Sequence, residues 1–137
     1  ATFHWIRKRY QAVDGIEAPT PFFTNEQNVT PSVMQNTDNW STTRFIEPDD
    51  MRHDMQVNIV NFKPGGNIPF AETHVMEHGL YVLQGKAVYR LNTDWVEVEA
   101  GDYIWLRAFC PQACVASGPE PFRYLLYKDV NRHAEFL

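Results

Sequence analysis

Three side chains that can bind metal ions or move protons lie close together in residues 66–85. Glu72 and His74 are two positions apart, and His78 follows four positions later. On a β-strand, residues two apart project to the same side, so Glu72 and His74 could share one site. Taken singly, each has an ordinary explanation as a solvated carboxylate or a hydrogen-bonded imidazole. Their combined spacing predicts a divalent metal site, because such ions accept carboxylate and imidazole ligands.

Most of the chain after residue 55 reads as short β-strands separated by turn residues. The predicted strands are 55–62, 78–83, 86–91, 95–98, 103–106 and 122–128. Gly, Pro, Asn and Asp occupy the segments between them and favour tight turns. Successive strands joined in this way indicate antiparallel hairpins. The pattern predicts an all-β sandwich or jelly-roll barrel.

The first fifty residues differ from the rest of the chain. They contain Pro19, Pro21, Pro31 and Pro48 together with many Asn, Thr and Asp residues. This composition predicts an extended arm or linker, whose apolar side chains pack on the barrel or on a neighbouring subunit. The predicted organisation is therefore an arm at 1–50, a barrel with the metal site at 51–133, and a C-terminal tail at 134–137.

The composition is typical of one compact domain and argues against several kinds of partner. The chain has 137 residues, 44% of them hydrophobic, which predicts a single core. A net charge of −5, with Arg7, Lys8 and Arg9 as the one basic cluster, argues against nucleic acid. No stretch reaches the roughly 20 apolar residues that span a bilayer, so no membrane partner is expected. Cys110 and Cys114 are too few for a disulfide scaffold, which favours the cytoplasm if the source is bacterial.

Residues 66–85 resemble the first sequence motif of the cupin family. That motif runs Gly, five residues, His, one residue, His, three or four residues, Glu, six residues, Gly. The chain keeps every spacing and retains His74, but Glu72 replaces the first His and His78 replaces the Glu. The resemblance implies a cupin-type double-stranded β-helix, which is a jelly-roll barrel, with these three residues as metal ligands.

Residues 101–112 resemble the second cupin motif, Gly-x5-Pro-x-Gly-x2-His. Arg107 and Phe109 stand at the Pro and Gly positions, which predicts an altered turn, and Gln112 stands at the His position. Alone, Gln112 would be interpreted as a polar residue satisfied by the backbone. The resemblance implies that it is the fourth ligand, contributed by a later strand. Two imidazoles, a carboxylate and an amide oxygen suit Mn(II), Fe(II), Ni(II) or Zn(II).

Longer stretches resemble one cupin family, the ureidoglycine aminohydrolases of purine breakdown. The similarity runs from about residue 3 to residue 133. It includes the segments 72–84, 94–102, 105–114 and 122–133. Members are bicupins whose second barrel carries the metal site, so the resemblance implies a homo-oligomer with a missing or separate N-terminal cupin half. The implied reaction is Mn(II)-dependent release of ammonia from the ureido compound (S)-ureidoglycine, which gives (S)-ureidoglycolate.

The resemblance also implies individual roles within the site. Glu72 and Lys128 are the expected catalytic residues, Glu72 as a proton shuttle and Lys128 as the partner of a substrate carboxylate. The expected substrate-binding residues are Glu72, Tyr89, Gln112, Tyr124 and Lys128. From the residues alone, Tyr89 and Tyr124 could equally be core aromatics. Lys128 could be an ammonium that extends to solvent from a strand end.

Two other functions stay open on the sequence. An Fe(II) cupin dioxygenase uses the same fold with similar ligands, although Glu72 and Gln112 depart from the ligand sets that are usual there. A non-catalytic binding or assembly module would hold a structural ion in the same barrel. Oxygen uptake would support the dioxygenase, and a coordination sphere without an open position would support the module.

Overall fold

The computed structural model describes residues 1–33 and 37–129, which form strands and connecting loops with a single turn of 3-10 helix at Glu26–Asn28. The strands are β1 (Ser32–Val33), β2 (Trp40–Arg44), β3 (Met55–Phe62), β4 (Asn67–Glu72), β5 (His78–Gln84), β6 (Lys86–Leu91), β7 (Asp94–Glu99), β8 (Tyr103–Leu106), β9 (Gln112–Ala116) and β10 (Phe122–Asp129). Every strand predicted from the sequence is present, with ends that differ by at most one residue. The strands β1 and β2 were not predicted, and β4 and β9 were expected only as strands that carry Glu72 and Gln112, without predicted ends.

The strands form two antiparallel sheets. One sheet has the order β1-β2-β3-β10-β5-β8, and the other has the order β4-β9-β6-β7. Inward-facing side chains of both sheets meet in one hydrophobic core. The all-β jelly-roll barrel predicted from the sequence is confirmed. None of the described residues belongs to a helix that is long and apolar enough to cross a membrane.

The interior changes from apolar to polar along three neighbouring strands. At one end, Phe62 of β3 is the Cα partner of Phe122 of β10, and their rings pack with centroids 5.9 Å apart. At the other end, Lys128 of β10 is flanked by Gln56 of β3 and His78 of β5. Because side chains alternate with a period of two, this register places polar residues of separate strands on one inner row. The strand register therefore places polar residues together at one end of the barrel.

Part of the segment predicted as an arm belongs to the larger sheet. The strand β2 pairs with β3 along its whole length, and Thr42 and Thr43 are buried. The sequence Trp-Ser-Thr-Thr-Arg has little hydrophobic alternation, which is why it did not read as a strand. The division at residue 50 stays a prediction, although the sheet begins before it. The predicted tail at 134–137 and the barrel residues after 129 lie outside the described residues.

Residues preceding β1 run over the barrel and are held there by polar contacts. Lys8 Nζ donates a hydrogen bond to the Asp54 carbonyl oxygen at 2.7 Å, and it also pairs with the Asp129 carboxylate. The backbone N–H of Gln11 donates to Asp54 Oδ2 at 2.7 Å. This part of the predicted arm therefore contacts the same end of the barrel that carries the polar row.

Candidate active site

The strands β4 and β9 bring Glu72 and Gln112 side by side at the polar end of the barrel. Glu72 is the last residue of β4, Gln112 is the first residue of β9, and the two are Cα partners. Their ladder is irregular between Ile68 and Glu72, and Phe70, which strict alternation would turn inward, is 58% exposed. Such irregularities commonly redirect a side chain beside a functional site. Here the irregularity precedes the position of Glu72.

His74 lies in the loop after β4 rather than on the strand. The expectation that Glu72 and His74 project from one strand is wrong in this respect, because β4 ends at Glu72. The loop is held from the other side of the site, where the backbone N–H of Phe109 donates to the His74 carbonyl oxygen at 2.8 Å. Phe109 has φ 60°, a left-handed conformation that normally favours glycine. Phe109 therefore occupies the motif's glycine position in a conformation that glycine would adopt easily.

Nitrogen and oxygen atoms of three side chains converge inside the barrel. His78 Nε2 lies 3.2 Å from Gln112 Oε1, and Gln112 Nε2 lies 3.2 Å from His74 Nε2. The two imidazole rings have centroids 5.0 Å apart. The structure thus brings together three of the four predicted ligands, with Glu72 at the adjacent ladder position. Among the described residues no three His, Cys, Asp or Glu side chains form a metal-binding cluster. The third group that converges with the two imidazoles is the amide of Gln112.

The donor set fits a divalent transition metal ion. Two imidazole nitrogens and an amide oxygen are ligands of intermediate to hard character, and the Glu72 carboxylate adds a negative charge beside them. The thiol of Cys114, which is buried in the core, is unsuited to compete, because burial raises its pKa to about 12. The Nδ1 atoms of His74 and His78 are buried, and neither has a hydrogen-bond partner within residues 1–33 and 37–129. The backbone of Met76 acts to raise the pKa of His78, against the larger effect of burial.

Burial controls the charge of the ligand candidates. For His78, burial and then repulsion from His74 lower the pKa to about 4, so the imidazole is neutral at neutral pH. A neutral imidazole is the form that binds a metal. For Glu72, burial raises the pKa, while the nearby charges of His74 and Lys128 oppose that rise. The carboxyl group is therefore held closer to a protonated state than an exposed glutamate would be.

Lys128 faces this site from β10. Together with Tyr124 and Leu126 it lines one wall of the cavity, as the alternation along the strand predicts. Burial lowers the pKa of the Lys128 ammonium, Glu72 raises it, and the charge of Arg44 lowers it. The ammonium is thus placed near a buried carboxyl group and a second cation.

The two predicted tyrosines occupy different positions. Both are almost fully buried, and burial raises the pKa of each phenol well above its ordinary value, so both are neutral. Tyr124 lines the cavity. Tyr89 instead lies behind Gln112 and donates its hydroxyl proton to Gln112 Oε1 at 2.8 Å. Tyr89 therefore reaches the site through Gln112, and its predicted contact with substrate stays a prediction.

All the predicted site residues except Tyr89 line one small cavity. Its volume is about 200 Å³. Its walls include Glu72, His74, His78, Gln112, Tyr124 and Lys128. Cavities that bind drug-sized ligands are commonly ~300–1,000 Å³. This one therefore suits a small polar molecule.

The Cupin domain family matches residues 58–127, a span that contains the convergent candidate ligands. This chain belongs to the cupin family. Curated relatives of this cupin include the (S)-ureidoglycine aminohydrolase of Escherichia coli K12, 36% identical over 130 residues, which are 94% of this chain and 49% of the relative. The (S)-ureidoglycine aminohydrolase of Arabidopsis thaliana is 42% identical over 90 residues, which are 66% of this chain and 30% of the relative. The resemblance to this enzyme family is confirmed.

A solved structure is also similar to this cupin. It is the crystal structure of a Pseudomonas aeruginosa protein described as glyoxylate-induced, 72% identical with a TM-score of 0.83, over 93% of this chain and 48% of that one. This cupin spans half or less of the length of the relatives it matches.

Sequence reasoning missed several cavity residues of this cupin, among them an arginine and an asparagine. Arg44 on β2 and Asn58 on β3 both line the cavity with the predicted ligands. Asn58 could have been found, because it alternates with Gln56 and Val60 on a strand that was predicted correctly. Arg44 carried no such signal, since its strand was not predicted.

Proposed function

We propose that this cupin is a metal-dependent aminohydrolase that releases ammonia from (S)-ureidoglycine and forms (S)-ureidoglycolate in purine catabolism. The observation that carries the proposal is the convergence of His74, His78 and Gln112 beside Glu72, in a small cavity that also contains Lys128. Relatives named (S)-ureidoglycine aminohydrolase support the choice of reaction. Because this chain spans half or less of those relatives, the activity of the whole protein is part of the proposal.

The proposed cofactor is Mn²⁺, with other divalent transition metals as alternatives. His74, His78, Gln112 and Glu72 would hold it. When bound, the ion would supply Lewis acidity and a fixed orientation for the substrate. The neutral state of His78 and the carboxylate of Glu72 are compatible with this role.

Glu72 is the proposed proton shuttle. Replacement of the α-amine by hydroxyl requires water to lose one proton as its oxygen bonds to the α-carbon, and the amine to gain one as the C–N bond breaks. A carboxyl group whose pKa is raised by burial can take the first proton and return it to the departing ammonia. Lys128 would hold the substrate carboxylate as a point charge, and the neutral Tyr124 hydroxyl would orient its polar groups.

The test is ammonia release from ureidoglycine that is generated in place from allantoate by a coupled enzyme. In the complete, manganese-loaded protein, Glu72→Gln should lower the rate by at least ~100-fold, because proton transfer typically contributes that much. Some manganese should remain bound. Glu77→Gln is the matched control, since Glu77 lies in the same loop region but is exposed. Undiminished release by the Glu72 variant would refute the proton role, and no release by the unchanged protein would refute the reaction.

The same preparations test the dioxygenase alternative. Oxygen consumption by the iron-loaded protein, in the absence of ammonia release, would favour an Fe(II) dioxygenase. A manganese site without an exchangeable position would favour a non-catalytic module instead.

We also propose that the protein acts as a homo-oligomer, together with a second, N-terminal cupin half. Large apolar side chains at the surface support this proposal, including Phe3 and Trp5 at 88% exposure and Phe23 at 95%. The length of the relatives supports a second half. If the source is bacterial, the two free cysteines favour the cytoplasm.

A further inference from the structure

Arg44 and Asn58 form a pair on the cavity wall that the proposed reaction does not yet use. They are Cα partners in the ladder between β2 and β3, and both line the cavity that contains Glu72, His74 and Gln112. On its other side Asn58 pairs with Leu126 of β10, which also lines the cavity. Arg44 and Asn58 are therefore neighbours on one sheet, while Glu72 and Gln112 belong to the other.

Asn58 carries a buried acceptor without a partner. The residue is 3% exposed, and among the residues that the structure describes its Oδ1 atom has no hydrogen-bond donor. An unsatisfied buried polar atom costs about 1–3 kcal/mol, and such atoms are rare enough to require an explanation. Asn58 lies at a cavity wall, so a ligand N–H group can provide the missing donor.

Arg44 provides an unpaired cation on the same wall. The ion pairs found within residues 1–33 and 37–129 do not include it, whereas Arg52 pairs with Asp50 and Arg123 pairs with Glu26. A guanidinium group presents two parallel N–H donors whose geometry matches a carboxylate. Arg44 can therefore supply a directional contact that the ammonium of Lys128 cannot.

We propose that Arg44 and Asn58 recognise the two ends of the substrate, Arg44 its carboxylate and Asn58 its terminal carbamoyl NH₂ group. This rests on the proposed function, because it assigns the two ends of the same small ureido acid. Arg44 donates two N–H bonds to the carboxylate oxygens, with Lys128 as a second cation beside them. Asn58 Oδ1 accepts a hydrogen bond from the carbamoyl nitrogen. The cavity is then specific for short carboxylic acids that carry a free carbamoyl group.

Binding of three stable probes tests this recognition without any turnover. N-carbamoylglycine has both groups but lacks the amine that the reaction removes. N-acetylglycine replaces the carbamoyl NH₂ with methyl, and N-carbamoylglycinamide replaces the carboxylate with a neutral amide. Calorimetry on the complete protein, both manganese-loaded and metal-free, should show N-carbamoylglycine binding at least tenfold more tightly than either analogue.

Two variants should each weaken one preference. Asn58→Leu, which has nearly the same shape, should abolish the preference over N-acetylglycine and leave N-acetylglycine binding nearly unchanged. Arg44→Met should reduce the preference over N-carbamoylglycinamide without abolishing it, because Lys128 remains as the second cation, and it should leave the preference over N-acetylglycine unchanged. Both preferences intact in the variants would refute the assignment, and equal binding of all three probes by the unchanged protein would refute it even if a variant failed to fold.

Matched controls come from the outer face of the same sheet. Asn61 of β3 accepts a hydrogen bond from Arg123 Nε at 2.5 Å, so Asn61→Leu and Arg123→Met should destabilise the protein while both probe preferences remain. Asn58→Leu should not lower the unfolding temperature, because it removes an unsatisfied polar atom. A purely structural Asn58 would instead lower stability without changing the preferences. If the probe preferences are as expected but no ammonia is released, the proposed reaction is refuted and the assignment of Arg44 and Asn58 stands.

Discussion

Tyr89 influences the candidate metal site through one hydrogen bond. Its hydroxyl donates to Gln112 Oε1, the same oxygen that lies 3.2 Å from His78 Nε2. The hydroxyl also fixes which end of the amide is oxygen, because Tyr89 donates to it. Groups that orient a metal ligand by a hydrogen bond commonly affect metal affinity although they do not contact the ion.

Tyr89→Phe should therefore weaken manganese binding while preserving the fold. The ring remains and fills the same space, but Gln112 loses its orienting donor. We expect metal affinity to fall about 10–100-fold and the free energy of unfolding to fall by about 1 kcal/mol. Manganese titration and urea denaturation measure the two effects. Tyr81→Phe, at the outer face of the sheet beside His4, should leave manganese binding unchanged.

His78 contributes a pH dependence to the stability of the metal-free protein. Its pKa is about 4 in the folded chain and has the ordinary value of 6.5 in the unfolded chain. Between these values the unfolded chain binds a proton that the folded chain does not, so stability falls as the pH falls from 6.5 towards 4. The difference corresponds to on the order of 3 kcal/mol.

Urea denaturation of chelator-treated protein at pH 7 and pH 4.5 measures this effect. His78→Phe should lose less stability over the interval than the unchanged protein. The comparison between the two proteins is needed because the raised pKa of Glu72 acts in the opposite direction. An equal loss in both would contradict a lowered pKa for His78.

At the scale of the elements, the strand β5 contains a glycine next to the candidate ligand His78. Gly79 follows His78, and the hydroxyl groups of Tyr103 and Tyr127 meet 2.5 Å apart above it. A Cβ atom at Gly79 would lie 2.5 Å from Tyr127 Cζ and 2.7 Å from Tyr103 Oη. An alanine here would therefore have to displace the ring ends of both tyrosines, whereas the backbone conformation of Gly79 is an ordinary one.

Gly79→Ala should destabilise the barrel and disturb the metal site together. Overpacking of this kind typically costs about 1–3 kcal/mol, and a shift of β5 would move His78. Denaturation midpoints and manganese titration report the two consequences. Gly118→Ala is the control, since the nearest atom to its Cβ would be 3.7 Å away, an ordinary contact. A Gly79 variant with both properties unchanged would show that the tyrosines move freely.

At the scale of the whole molecule, aromatic side chains are concentrated where the N-terminal residues cross the larger sheet. Phe3, His4 and Trp5 lie over a surface cavity of about 410 Å³ whose floor includes Tyr81 and Tyr127. Trp5 is 88% exposed there. Large exposed apolar patches commonly mark association surfaces.

We expect this chain to associate through that face. Light scattering after size-exclusion chromatography should give a mass above the 15.9 kDa of one chain, and Trp5→Ser should shift the mass towards one chain. Trp95 is also exposed, at 55%, but lies on the smaller sheet, so Trp95→Ser should have no effect. A single-chain mass for the unchanged protein at all concentrations would contradict the proposed oligomer.

The sequence predicted best those strands whose residue pattern and flanking turns lie within one short segment. The strands β3, β6 and β8 were predicted with correct ends, because their alternation and flanking turn residues lie within each segment. The strand β4 was not, since Pro69 and Ala71 weaken its strand character and its ladder is irregular. Such irregular pairing depends on the partner strand β9, about forty residues later in the chain.

The fold class and the candidate ligands Glu72, His74, His78 and Gln112 could be identified from the sequence, because motif spacing and turn residues lie within short segments. The three-dimensional structure was needed to show that His74 lies in a loop, that Tyr89 lies behind Gln112, and that Arg44 and Asn58 line the cavity. Those facts follow from the register between strands that are far apart in the chain. Register is set by the packing of the whole barrel, which a local pattern does not contain.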